Sequence, residues 1–366
     1  MRKGIIYICR YRAFYPGNFI ASIEKLAIAA HRDGYEVYFL FPDSVKQHDW
    51  IQALPVPPEN LMFSDFSKRH LYSFCRQFVH EHRGIHMTAH THFLSGLSLL
   101  AVRLCFDQCF CHFHMTVKKP VSLYRKMRRL LIRFFYRNCI IIGVSDVVSR
   151  DLKAFFPHNI VENVPNAIDF DYISGNLCSG EIPEYLDSNT FRILIHGTNF
   201  HTKGVDTAVR AVASLNKKQV PCKLYITTHS VDATNSFLTS LGEDLSMIQP
   251  IHVVKDIMDV YNNVELFLSP SREEAFGYAV AEAAYSNCLV IASDVPGQNT
   301  MKDIPGICWI QPDNDAQLEA AILDAVSFSG TEQAQAMKSR QKAYVVSEYN
   351  IDKWVNKTLE VYRRHQ

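Results

Sequence analysis

Residues 266–295 read LFLSPSREEAFGYAVAEAAYSNCLVIASDV. The stretch opens on an apolar run, Leu266-Phe267-Leu268, that stops at Ser269-Pro270. A polar turn follows, Ser271-Arg272-Glu273-Glu274, and from Gly277 onward Ala279, Val280, Ala283 and Ala284 recur at helical spacing. A second apolar run, Leu289-Val290-Ile291-Ala292, ends at Ser293-Asp294. Strand, loop, helix, strand is a βαβ unit. Its loop lies at the carboxyl end of a strand, where open parallel sheets bind ligands.

A helix start exposes backbone N–H groups and a partial positive charge, so it suits phosphate. Gly277 lets a ligand approach the backbone closely. Glu274 in the loop and Glu282 further along can point towards one crevice, where carboxylates accept hydrogen bonds from hydroxyl groups. That combination suits a sugar nucleotide. The spacing alone fits an ordinary solvated helix with surface acids equally well.

The string from Ser269 to Gly277, followed by Glu282-Ala283, resembles the Glu-x7-Glu motif of family-4 retaining glycosyltransferases of the GT-B fold. The resemblance implies two Rossmann-like α/β domains facing across a cleft. It places Glu274 at the donor sugar, Glu282 at the nucleotide ribose, and Phe276 and Gly277 in the donor site. Lys203-Gly204 resembles the family's Lys-Gly, whose Lys neutralises the donor diphosphate, and a cation there stabilises the departing nucleotide. Thr198 stands where the family usually has Arg, Ala167 replaces a Gly, Pro296 replaces the first Gly of a Gly-Gly loop, and Thr300 stands where a Glu is usual.

The chain of 366 residues is long enough for two domains, and 48% apolar residues can fill a sizeable core. A net charge of +1 argues neither for nor against nucleic acid, and none is expected as a partner. The ten Cys form no CxxC pair. The apolar run at residues 4–9 is too short for a signal or a membrane span, so free thiols in a cytoplasmic protein are expected.

Residues 5–8 read as the first strand and 37–41 as the second, with a helix between them that carries Ile20, Ile23, Leu26, Ala27 and Ala30 on one face. The loop before that helix resembles the family's acceptor-facing glycine loop and places Gly17 and Asn18 on the acceptor side. His86, His90, His92, His112 and His114 crowd together, and Cys109 and Cys111 sit beside the last two. Zinc is one reading. On a single strand, however, Cys109 and Cys111 face one way and His112 and His114 the other, so four ligands cannot converge from that strand alone. The resemblance gives His114, with His112 second, the place of the family's histidine near the donor sugar.

Residues 118–137 carry eight Lys or Arg and no acid. Leu123, Met127, Leu130, Leu131, Phe134 and Phe135 form one helical arc. A basic amphipathic helix suits anionic lipid, with Arg125, Arg128, Arg129 and Arg133 as contacts; a core-packed helix with a solvated basic face is the alternative. The polar stretch 176–189 marks a boundary. An acceptor domain is expected over 1–175 and a donor domain over 190–348, with a terminal helix over 349–366 crossing back to the first.

The expectation is a retaining, nucleotide-sugar-dependent glycosyltransferase of cell-surface polysaccharide or glycolipid synthesis. It would act on a glycan or lipid-linked acceptor, peripherally on the inner membrane face. No Asp-x-Asp pair is placed in a site loop, so no essential metal and no cofactor beyond the co-substrate are expected. The rival is a non-catalytic GT-B subunit that binds a sugar nucleotide or scaffolds a partner enzyme, which the four departures favour.

Overall fold

The structure is a computed structural model. It describes residues 2–13, 16–52, 54–115, 123–175, 183–252 and 257–366, with the backbone alone for 123–128 and 174–175. The chain divides into two units. One comprises Met1–Asp169 with Ile351–Gln366, the other Phe170–Asn350.

The first unit is built on seven strands: β1 (Arg2–Cys9), β2 (Tyr35–Pro42), β3 (Leu61–Ser64), β4 (Ile85–His92), β5 (Gln108–Phe113), β6 (Ile140–Gly143) and β7 (Val161–Asn163). Their order is β3-β2-β1-β4-β5-β6-β7, and every pairing is parallel. Ile5, Ile6, Tyr7 and Ile8 are all buried, as expected of a central strand with both faces covered. The helix Gly17–Arg32 buries Ile20, Ile23, Leu26, Ala27 and Ala30, the arc read from the sequence. The last helix, Ile351–His365, lies on this unit. Its Trp354, Val355, Leu359 and Tyr362 join the core formed by Ile5, Tyr7 and Phe39. Ion pairs from Arg363 to Asp33 (2.7 Å) and from Arg364 to Glu162 (2.8 Å) hold its end.

The second unit has six strands: β8 (Phe191–His196), β9 (Cys222–Thr228), β10 (Ile248–His252), β11 (Leu266–Ser269), β12 (Leu289–Ser293) and β13 (Cys308–Ile310). Their order is β10-β9-β8-β11-β12-β13, again all parallel. Both sheets thus run 3-2-1-4-5-6 in their first six strands, the doubly wound order, whose direction reverses beside the first strand. In the second unit that switch point falls between β8 and β11, and the βαβ stretch that opened the sequence reading supplies β11 and β12.

The boundary between units differs from the sequence reading. The helix Phe170–Gly175 belongs to the second unit, because Phe170 packs its ring on Tyr285 at 4.7 Å. The polar stretch read as a linker lies later, and its residues 176–182 fall outside the described residues.

Candidate active site

Three loops meet at the carboxyl ends of β8, β11 and β12. The first runs over residues 197–204, takes left-handed backbone at Asn199 (φ 59°) and Gly204 (φ 68°), and leads into the helix Val205–Lys217. A side-chain carbon on Gly204 would overlap the Pro270 carbonyl, so only glycine permits this approach to the second loop. On that loop the Arg272 amide donates to the Thr202 carbonyl at 2.8 Å. The Arg272 guanidinium grips Asp206 with two bonds of 2.8 Å and also reaches Asp313 at 2.5 Å and the His201 carbonyl. The third loop closes on the second at Gly297 (φ 87°), where any side chain would collide with the Glu274 carbonyl. Gly277, at φ 94°, opens the helix Tyr278–Tyr285.

This scaffold brings together two side chains that the sequence picked separately. The Lys203 ammonium donates to Glu274 Oε1, and Ser271 Oγ donates to the same oxygen at 3.3 Å. The Lys203 and Glu274 side chains are 28% and 15% exposed, so the pair is shielded yet reachable. A cation and a carboxylate beside amides at a helix start can receive a diphosphate and a sugar hydroxyl.

Glu282 is held by a different partner. It lies in the second turn of its helix and hydrogen-bonds the buried Tyr261 phenol. Tyr261 also meets His196 Nε2 at 2.7 Å, and His196 Nδ1 meets Thr227 Oγ1 at 2.8 Å. Burial, with Lys203 adding to it, pushes the His196 imidazole down to about 4, so the ring is neutral near pH 7. The sequence reading missed this chain. A histidine ending a strand was its one signal, and its partners come from β9 and the helix Ile257–Asn262.

Thr198 is exposed and Gly204 is spent on the loop crossing. The Phe276 ring is buried against Tyr278 and Tyr349, so this residue offers a ligand its backbone rather than its ring. Thr300 turns its hydroxyl onto the Gly297 carbonyl at 2.6 Å.

In the first unit Gly17 (φ 54°) begins its helix, and the Asn18 carbonyl accepts from Ser22 Oγ at 2.6 Å. His114 follows β5, half-buried, with its ring stacked on Phe93 at 4.3 Å and its Nε2 3.0 Å from His92 Nδ1. His112 is enclosed, which leaves His114 the more accessible of the two histidines proposed for the donor sugar. The sequence reading noted His90 and His92 but did not recognise their segment as a strand; on β4 they stand on the same face as His112 and His114.

The basic helix runs Leu123–Phe135. Lys118 and Lys119 lie outside the described residues, as do the side chains of Arg125 and Arg128. The other two proposed lipid contacts are engaged within the protein. Arg129 donates to the Ala154 carbonyl at 2.7 Å and Arg133 to the Phe155 carbonyl at 2.6 Å, and both guanidinium groups lie over the Phe155 ring. They satisfy carbonyls at the end of the helix Asp146–Phe155, which have no partner within that helix. The apolar side faces solvent instead: Leu130 is 64%, Leu131 59% and Phe134 52% exposed. Among the described residues no helix is long and apolar enough to cross a membrane.

Residues 190–327 match the model of the family described as glycosyl transferases group 1. No curated protein matches the chain. Among solved structures, a glycosyltransferase from Rickettsia africae superposes with a TM-score of 0.76 at 18% identity, covering 99% of this chain and 98% of that one. Sucrose-phosphate synthase from Thermosynechococcus elongatus gives 0.73 at 17% identity, covering 99% of each chain. Anabaena HepE, solved in complex with UDP, gives 0.71 at 15% identity, covering 99% of this chain and 100% of that one. These likenesses establish the fold, which is that of GT-B glycosyltransferases.

Proposed function

We propose that the chain, whose residues 190–327 match the glycosyl transferases group 1 family, is a nucleotide-sugar-dependent glycosyltransferase that transfers its sugar with retention to a glycan or lipid-linked acceptor. The observation that carries this reading is the Lys203–Glu274 pair at the β8/β11 switch point. Lys203 releases Glu274 to take the donor diphosphate. As the bond from the sugar's anomeric carbon to the diphosphate oxygen breaks, negative charge collects on the leaving nucleotide, and Lys203 and nearby loop amides stabilise it. The transfer needs no essential metal, because this cation does that electrostatic work. The acceptor hydroxyl then bonds to the anomeric carbon on the face the nucleotide leaves and gives its proton to the departing diphosphate oxygen.

Glu274 supports the sugar hydroxyls and Glu282 the ribose. The donor is a sugar linked to a nucleoside diphosphate, by analogy with HepE, which is solved with UDP. The test is turnover of a panel of nucleotide sugars with soluble and lipid-linked acceptors, with the product's anomeric configuration read by NMR. Retained configuration supports the reading, and inversion contradicts it. Donor binding without turnover of any acceptor would favour the non-catalytic subunit, for which Thr198 and Thr300 speak.

The acceptor is membrane-held, in polysaccharide or glycolipid synthesis at the cytoplasmic face. The support for this is the helix Leu123–Phe135, with Leu130, Leu131 and Phe134 exposed among basic residues. Apolar side chains of this kind dip into the headgroup boundary, while nearby Lys and Arg attract anionic lipid.

A further inference from the structure

We propose that His90, His92 and His112 bind a transition-metal dication, Zn2+ by the chemistry of three imidazoles, inside the first unit. Each residue offers one ring nitrogen, and the three atoms lie within 4.8 Å of one another. The sheet creates the cluster. His90 and His92 alternate onto one face of β4, and the parallel register sets His92 beside His112 on β5. Ligands that cannot converge from one strand therefore converge from two.

The hydrogen bonding of these rings points to an ion. All three residues are buried, yet among the described residues His90 Nε2, His92 Nε2 and both nitrogens of His112 have no hydrogen-bond partner. A neutral imidazole carries one N–H and one lone pair, and leaving them unmatched in the interior is costly. The opposite nitrogens of His90 and His92 are engaged: His90 Nδ1 meets Tyr362 Oη at 2.5 Å, and His92 Nδ1 meets His114 Nε2 at 3.0 Å. Histidines that ligate metals are held in this way, with one nitrogen fixed by an outer partner and the other left for the ion. Three imidazoles with a fourth position open suit zinc, and imidazole also takes copper, nickel and iron.

A second cluster, Cys109, Cys111 and Cys139, is equally compact. Buried thiols pack well as small apolar groups, however, and leave no comparable deficit. An ion on His92 Nε2 would fix the proton on Nδ1 and make His114 Nε2 the acceptor, so the metal would orient His114. The metal site itself stands whether or not the chain transfers sugars.

The experiment uses the full, untagged chain refolded with Zn2+ and dialysed against metal-free buffer, with bound metal counted by mass spectrometry. Wild type should retain about one equivalent per chain. The Cys109→Ser/Cys139→Ser variant should retain as much, and His112→Gln should lose it. Loading with Co2+ gives a second readout that needs no variant, a visible spectrum of nitrogen ligation without thiolate charge-transfer bands. No retained metal in the wild type, thiolate bands on Co2+, or loss of the metal in the cysteine variant with retention in His112→Gln would overturn the proposal.

Discussion

Glu274 and Lys203 form an ion pair, and that pairing shapes what their removal does. Glu274→Gln should release Lys203 for the diphosphate, so donor affinity should hold or rise. Turnover should fall about 100-fold or more, the scale of losing one group that acts mainly in the transition state. Steady-state kinetics beside calorimetry checks this, and equal loss of affinity and turnover would count against it. Glu282→Gln belongs to the other half of the donor. It should raise donor KM about tenfold with little change in kcat, as uniform binding predicts. The reverse split would exchange the roles of the two carboxylates. At this scale the residues were legible and their partners were not. Lys203 and Glu274 are far apart in sequence, and Glu282's link to Tyr261 and His196 depends on three separate strands and helices.

Elements carry the next level. The loop after β11 is fixed to the helix after β8 by Arg272 and Asp206, with both side chains 15% exposed. Burial pushes the Asp206 carboxyl up, but Arg272 and Arg210 outweigh it and hold it below its ordinary value of 3.8. Its contribution is therefore present above that value and lost as pH falls through the lower folded one. Asp206→Asn should cost about 1.5–3 kcal/mol near neutral pH, the worth of a charged hydrogen-bonded pair. The gap from wild type should close in acid, as denaturant melts at several pH values would show; a gap constant with pH would contradict it. The helix Leu123–Phe135 shows where sequence patterning stops. Its period and amphipathicity were legible, but the side facing the protein is set by free carbonyls at the end of another helix. Leu131→Asp with Phe134→Asp should abolish flotation on anionic vesicles, and wild-type flotation should survive high salt, since apolar insertion is little screened. Flotation that salt removes and these changes spare would return the contact to the basic residues. Strand β4, reading IHMTAHTH, escaped the sequence reading because buried His and Thr break the apolar run, and their partners arrive from β5 and the last helix.

For the whole molecule, individual βαβ steps were legible in the alternation of apolar runs with helical periods, because each is local, while the pair of Rossmann-like domains was what the resemblance implied. The return of the last helix to the first unit came only from resemblance, since its burial depends on strands some 300 residues earlier. On the proposed function, the chain takes a nucleotide-sugar donor in its second unit, through Lys203 at the switch point. Calorimetric titration with a panel of nucleoside diphosphates tests it most directly, with wild type and Lys203→Ala side by side. At least one nucleoside diphosphate should bind the wild type, and Lys203→Ala should bind it about 10- to 100-fold more weakly, the worth of one charge-assisted contact. No binding by the wild type, or equal affinity for both proteins, would contradict it.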